Sequence, residues 1–137
     1  MSFNDIAIRI NAYEQTIKTL GNEKVKGQPL IRELAIGRTK QEAFEVARKP
    51  LLAKYESYAT WGQTDTKKER TLSDTFEEFC RDRFIIGDEQ EVVDEILKYK
   101  ESFGVDNLLV RVQWPGLGQG EVLKTLDHLG KIIATVS

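Results

Sequence analysis

An α/β fold with a parallel sheet is what the sequence predicts, and three features predict it. Short β-branched apolar runs alternate with longer stretches whose apolar residues recur every three or four positions. Two of the passages from strand to helix carry a capping box. Glycine or proline punctuates the ends of the elements.

The first element is a helix, because Phe3, Ile6, Ile10, Tyr13, Ile17 and Leu20 form one stripe and Gly21 ends it. A polar connection, Asn22 to Gln28, leads to Pro29, which opens the first strand, Leu30-Ile-Arg-Glu-Leu-Ala-Ile36. Thr39-Lys-Gln-Glu42 then has the capping-box spacing and starts a helix with Phe44, Ala47, Leu51, Tyr55 and Tyr58 on one face. Pro50 lies inside that pattern and removes a backbone donor, so a kink or break is expected there. Gly62 to Lys68 has no apolar residue and reads as a mobile loop, followed by a short helix through Leu72, Phe76 and Phe79. Arg83-Phe-Ile-Ile-Gly87 is the second strand, and Asp88 with Glu91 caps a helix starting at Glu89, carrying Val92, Val93, Ile96, Leu97 and Phe103, and stopped by Gly104. Leu108-Leu-Val-Arg-Val-Gln-Trp114 is the third strand. The last helix follows, with Val122, Leu123, Leu126, Leu129, Ile132 and Ile133 on one stripe. The pieces joined by a helix must pair in parallel, and the whole of residues 1–137 reads as one domain with a loop and short helix over 62–82.

Composition narrows the function classes. Twenty Lys and Arg against 22 Asp and Glu leave no broad basic field for nucleic acid or an anionic membrane. The densest basic cluster, Lys67-Lys-Glu-Arg70, contains an acid and reads as a solvated segment. Asn4, Asp5 and Arg9 interrupt any signal-peptide core, and no apolar run approaches the roughly 20 residues that span a bilayer, so a soluble, cytoplasmic protein is expected. One cysteine excludes an internal disulfide framework, and Cys80, close to Phe76 and Phe79, reads as a buried small hydrophobe. One histidine, His128, and no HExxH or CxxC spacing argue against a metal site.

Four pieces in this order resemble a known family: Pro29-Leu-Ile-Arg-Glu-Leu34 before a capped helix that runs to Lys54-Tyr-Glu-Ser-Tyr-Ala-Thr-Trp-Gly62, then Phe84-Ile-Ile-Gly-Asp-Glu-Gln-Glu-Val92, Phe103-Gly-Val-Asp-Asn-Leu-Leu109, and Arg111-Val-Gln-Trp-Pro-Gly116 ahead of an amphipathic helix. Together they resemble the C-terminal part of the luciferase-like flavin-dependent monooxygenases. The ending, Lys131-Ile-Ile-Ala-Thr-Val-Ser137, departs from that family's usual Val-x-Pro.

The resemblance implies a partial (β/α)8 TIM barrel, its last three βα units preceded by a helix, where a complete barrel takes about 250 residues. It also implies reduced FMN and molecular oxygen acting on an organic substrate, with a separate flavin reductase as a partner, and a mobile cover formed by the 62–82 segment. Most flavin contacts of the family come from earlier strands. A three-stranded piece leaves edges and an apolar sheet face, so either a homo-oligomer or a complementary N-terminal barrel fragment is expected to cover it.

Ligands of parallel barrels collect at the C-terminal strand ends, here Gly37-Arg38, Gly87-Asp88 and Gln113-Trp-Pro-Gly116. If Val110 and Val112 face the helices, alternation turns Leu109, Arg111 and Gln113 to the other side. Arg111 and Gln113 then reach either toward flavin or substrate, or toward neighbouring strand ends and water. Trp114, extended because Pro115 follows it, is either an apolar wall at the strand mouth or packing for the last helix. Gly116-Leu-Gly-Gln-Gly120 lies before a helix N-terminus, where backbone donors hold phosphate, but its spacing matches no nucleotide-binding motif and also suits a plain turn. Three functions compete: an FMN-dependent monooxygenase part, a non-catalytic oligomeric module derived from that family, and a small anion carrier built on the Gly116 loop.

Overall fold

A computed structural model describes residues 1–23, 29–60, 80 and 83–137, with the side chains of 55 and 57–60 left aside. Four helices and three strands are seen among them: α1 (Phe3–Leu20), β1 (Pro29–Ile36), α2 (Lys40–Thr60), β2 (Ile85–Gly87), α3 (Glu89–Phe103), β3 (Asn107–Arg111) and α4 (Gln119–Val136). The loop and short helix expected over 62–82 fall outside the described residues except at Cys80.

Local chemistry explains the boundaries. Asp88 caps α3 by accepting from the Glu91 amide at 2.8 Å, while the Glu91 carboxylate accepts from the Asp88 amide at 3.3 Å. Gly104, at φ 62°, ends the helix in the left-handed region that glycine enters without strain. α1 starts on the same reciprocal pair, Ser2 with Asp5, which the apolar stripe alone does not reveal. At α2 the Thr39 hydroxyl accepts from the Glu42 amide at 3.1 Å, and the Glu42 carboxylate is taken by Arg38. α2 runs through Pro50 without the break that a proline suggests.

All pairing is parallel, and the strand order is β2-β1-β3. Three successive barrel units would instead pair in chain order, with every helix outside. The physical reason for the difference is the step direction. With right-handed crossovers, moving from β1 to β2 on one side and then back across β1 to β3 places the two connecting helices on opposite faces. Alternation along the strands agrees: Leu34, Ile36 and Ile85 pack with α1, α3 and α4, while Ala35 and Ile86 pack with α2. The sheet is therefore open, with helices on both faces. Its two ladders do not overlap, since Pro29–Glu33 pairs with β3 and Leu34–Ile36 pairs with β2.

The first face holds the larger core. Leu34, Ile85, Val92 and Tyr99 are fully buried there, each aliphatic contributing about 1.5–3 kcal/mol. Phe3 meets Phe103 with ring centroids 4.6 Å apart and Tyr99 at 5.6 Å, tying the start of α1 to α3. The far end of the α1 stripe is not covered, and Leu20 is exposed. The α4 stripe divides: Val122, Leu129 and Ile132 face inward together with Thr125, whose hydroxyl accepts from the Ile36 amide at 3.4 Å, whereas Leu123, Leu126 and Ile133 are exposed. A polar residue completes the inward row, so counting apolar residues alone misplaces it.

Candidate functional site

The residues singled out at the end of β3 go to two different places. Val110 and Val112 pack on the first face, which turns Leu109, Arg111 and Gln113 to the second. Arg111 closes β3 in register with Glu33 and donates from Nη1 to Glu33 Oε1 at 3.2 Å. Gln113 lies exposed beyond the ladder. Trp114 neither lines a mouth nor packs on the last helix; it is 4% exposed among Ala35, Ala43, Ala47, Leu51, Phe84 and Ile86, beneath α2. The cause is the position of α2 on the second face, which no local pattern reveals. Trp114 O accepts from the Leu117 amide at 3.1 Å, so Pro115 and Gly116, at φ 89°, form a type II turn facing Pro50 of α2. Arg111 and Gln113 thus stand on open surface, while Trp114 and Gly116 are fastened to α2.

A charged cluster that the strand pattern does not single out lies beside Arg111. Lys54 of α2 donates to the same Glu33 oxygen, with the Lys54 side chain 8% exposed and that of Glu33 10%. Two cations share one carboxylate oxygen, and Arg111, 46% exposed, offers its remaining N–H groups outward. Next to it Ile31 and Leu109, partners in register, are 53% and 44% exposed on the same face. The arrangement is an apolar floor with a cation at its edge. Such a surface can take one side of a flat apolar ligand with an anionic group at the cation; among the described residues it has no walls.

Back to back with Glu33, Arg32 points into the first face and is 4% exposed. Its Nη1 donates to Met1 O and Arg83 O, both at 2.9 Å, and its guanidinium lies 5.2 Å from the Tyr99 ring centre. Nε and Nη2 have no hydrogen-bond partner among the described residues. Burial, and then the Arg32 and Arg83 charges, hold the amino group of Met1 below its ordinary pKa. The sequence signal was a pair of adjacent charges in the middle of an apolar strand.

The C-terminal ends of β1 and β2 open into a groove of about 500 Å³ lined by Arg38, Glu42, Lys124, Asp127, His128 and Lys131. His128 Nδ1 lies 2.7 Å from Glu89 Oε1, linking α4 to the first turn of α3. A smaller cavity of about 100 Å³ reaches Cys80, which is buried, beside Phe44, Phe84 and Ile86. Among the described residues no three His, Cys, Asp or Glu side chains come together to hold a metal ion, and no helix is long and apolar enough to cross a membrane.

No family model matches the sequence. No curated protein matches it either. Among solved structures, the chain is similar to the crystal structure of monooxygenase RslO1 from Streptomyces bottropensis, with a TM-score of 0.63 and 12% sequence identity. The match covers 93% of this chain and 37% of that one, so the chain spans little more than a third of the monooxygenase. At that identity the likeness is one of fold: nearly all of this α/β chain follows one section of a larger oxygenase.

Proposed function

We propose that this chain is the C-terminal part of a luciferase-like, FMN-dependent monooxygenase, a cytoplasmic oxidoreductase part that acts only when further strands complete a barrel around it. One observation carries the reading: 93% of the chain follows 37% of a monooxygenase. The open floor of Ile31 and Leu109, with Arg111 at its edge, supports it, because that face is the one a barrel turns inward. When bound, reduced FMN supplies the chemistry that activates oxygen, delivered by a separate reductase. The contribution of this chain is to bind: Arg111 and Gln113 would hold the polar parts of flavin or substrate, and Leu109 and Ile31 would offer apolar contact. Trp114 and the Gly116 turn take part only if α2 leaves this face, and joining a barrel also requires β3 to move to the free side of β2.

Flavin fluorescence is the test. Reduced and oxidised FMN titrated into the 137-residue chain, alone and mixed with a polypeptide supplying the preceding barrel strands, should give saturable quenching in the mixture, weakened by Arg111→Ala. No binding in either case rejects the reading.

A second reading is a homo-oligomeric module without flavin chemistry. The exposed row Leu123, Leu126 and Ile133 on α4, together with Ile31 and Leu109, favours it. It requires light scattering to show an oligomer that does not bind FMN.

A further inference from the structure

The geometry points to the groove at the end of β1 as a separate binding site for a small oxyanion, a phosphate or carboxylate group, gripped by Arg38 and Lys124 and read by His128. In an open parallel sheet, the crevice lies where connections leave one strand end for one face and the neighbouring strand end for the other. β1 makes such a pair with each of its neighbours, because it runs into α2 on the second face while β2 and β3 run into α3 and α4 on the first. The groove is built on that crevice: Arg38 and Glu42 come from the start of α2, and Lys124, Asp127, His128 and Lys131 from α4.

Its cations are available. Arg38 pairs with Glu42 at 3.2 Å, Lys124 with Glu121 at 3.3 Å and Lys131 with Asp127 at 3.7 Å, each a contact three or four residues along its own segment. Such exposed pairs are weak, far weaker than a charge-assisted bond to phosphate, so an arriving oxyanion displaces the carboxylates. His128 is held differently. A carboxylate only accepts, so Glu89 fixes the proton on Nδ1, and the ring lines the groove with its side chain 16% exposed. Its Nε2 makes no hydrogen bond among the described residues; with the proton on Nδ1 it accepts from a ligand hydroxyl such as that of a monoprotonated phosphate, and only the imidazolium donates from it to an oxyanion. Glu89 is a positioning residue for that ring.

His128 is the sole histidine, so its ring signals in an NMR spectrum are unambiguous. At fixed pH, inorganic phosphate titrated into the full chain should move them saturably, with a Kd of roughly 1–10 mM, while sodium chloride at matched ionic strength should not. Malonate in a parallel titration distinguishes the two sources of oxyanion, and the tighter of the two names the class. Arg38→Ala and Lys124→Ala should each weaken binding about tenfold; both side chains are well exposed, so the fold is not at risk. Glu89→Gln should change the ring nitrogen shifts by releasing the tautomer, which a merely structural tie would not. A response that is linear in salt, or unchanged by the Arg38 and Lys124 substitutions, overturns the site. None of these residues belongs to the Arg111 face, so this result and the flavin titration succeed or fail separately.

Discussion

The two faces of one three-stranded sheet are finished to different standards. On the first, three helices close over Leu34, Ile36, Ile85 and Tyr99, and the buried charge of Arg32 is met by carbonyl oxygens and an aromatic ring. On the second, α2 with Cys80 and Phe84 covers β2 and the end of β1, while Ile31 and Leu109 stay exposed beside three interlocked charges. The contrast separates stability from recognition. The larger core on one side and the smaller cluster under α2 supply the folding free energy, and the part of the second face left open keeps the apolar surface and the accessible cation that a ligand or partner needs.

The widest gap between the faces should come from truncating an aromatic. Tyr99→Ala removes a fully buried ring from the first face and should cost about 3–5 kcal/mol in urea unfolding, whereas Leu109→Ala on the second should cost well under 1 kcal/mol. Comparable losses would mean that something covers Leu109 in solution. Next, Glu33→Ala removes the nearly buried carboxylate that Lys54 and Arg111 share, with an expected cost of about 3 kcal/mol. The double change Glu33→Leu with Lys54→Met should recover most of it, since the pair, and not the space, is what is broken.

Smaller effects sharpen the comparison further. Asp88→Ala, which removes the reciprocal cap of α3, should cost about 1 kcal/mol by the same measurement. Ile31→Lys should change stability by less than about 0.5 kcal/mol yet reduce FMN binding by the completed barrel, or self-association if the second reading holds. The smallest is a pH slope. Because the amino group of Met1 has a lowered pKa in the fold, the unfolded chain binds more protons between that value and the ordinary one. Stability should therefore rise with pH through that window, level off above it, and lose the slope on N-terminal acetylation.

The sequence expresses local structure well and long-range order poorly, as particular residues show. The Asp88 box, the Gly21 and Gly104 stops and the alternation that turns Arg111 away from Val110 follow from chemistry within a few positions. Parallel pairing followed from the helices between strands. The order β2-β1-β3 did not, because whether β3 joins β1 or β2 depends on contacts made across the whole chain. Trp114 shows the result: its extended backbone was legible from Pro115, but its burial under α2 depended on a helix more than 50 residues earlier in the chain taking the second face. The groove was hidden for the same reason. Arg38, Glu89 and His128 belong to three different helix neighbourhoods, and no spacing rule joins them.

The divided pairing of β1 carries a dynamic consequence. Because its neighbours change between Glu33 and Leu34, no cross-section of the sheet contains three hydrogen-bonded strands. Amide hydrogen exchange should accordingly resolve two cooperative opening units meeting at that junction, with β3 and the leading half of β1 deuterating together and the trailing half protected longer alongside Ile85 and Ile86.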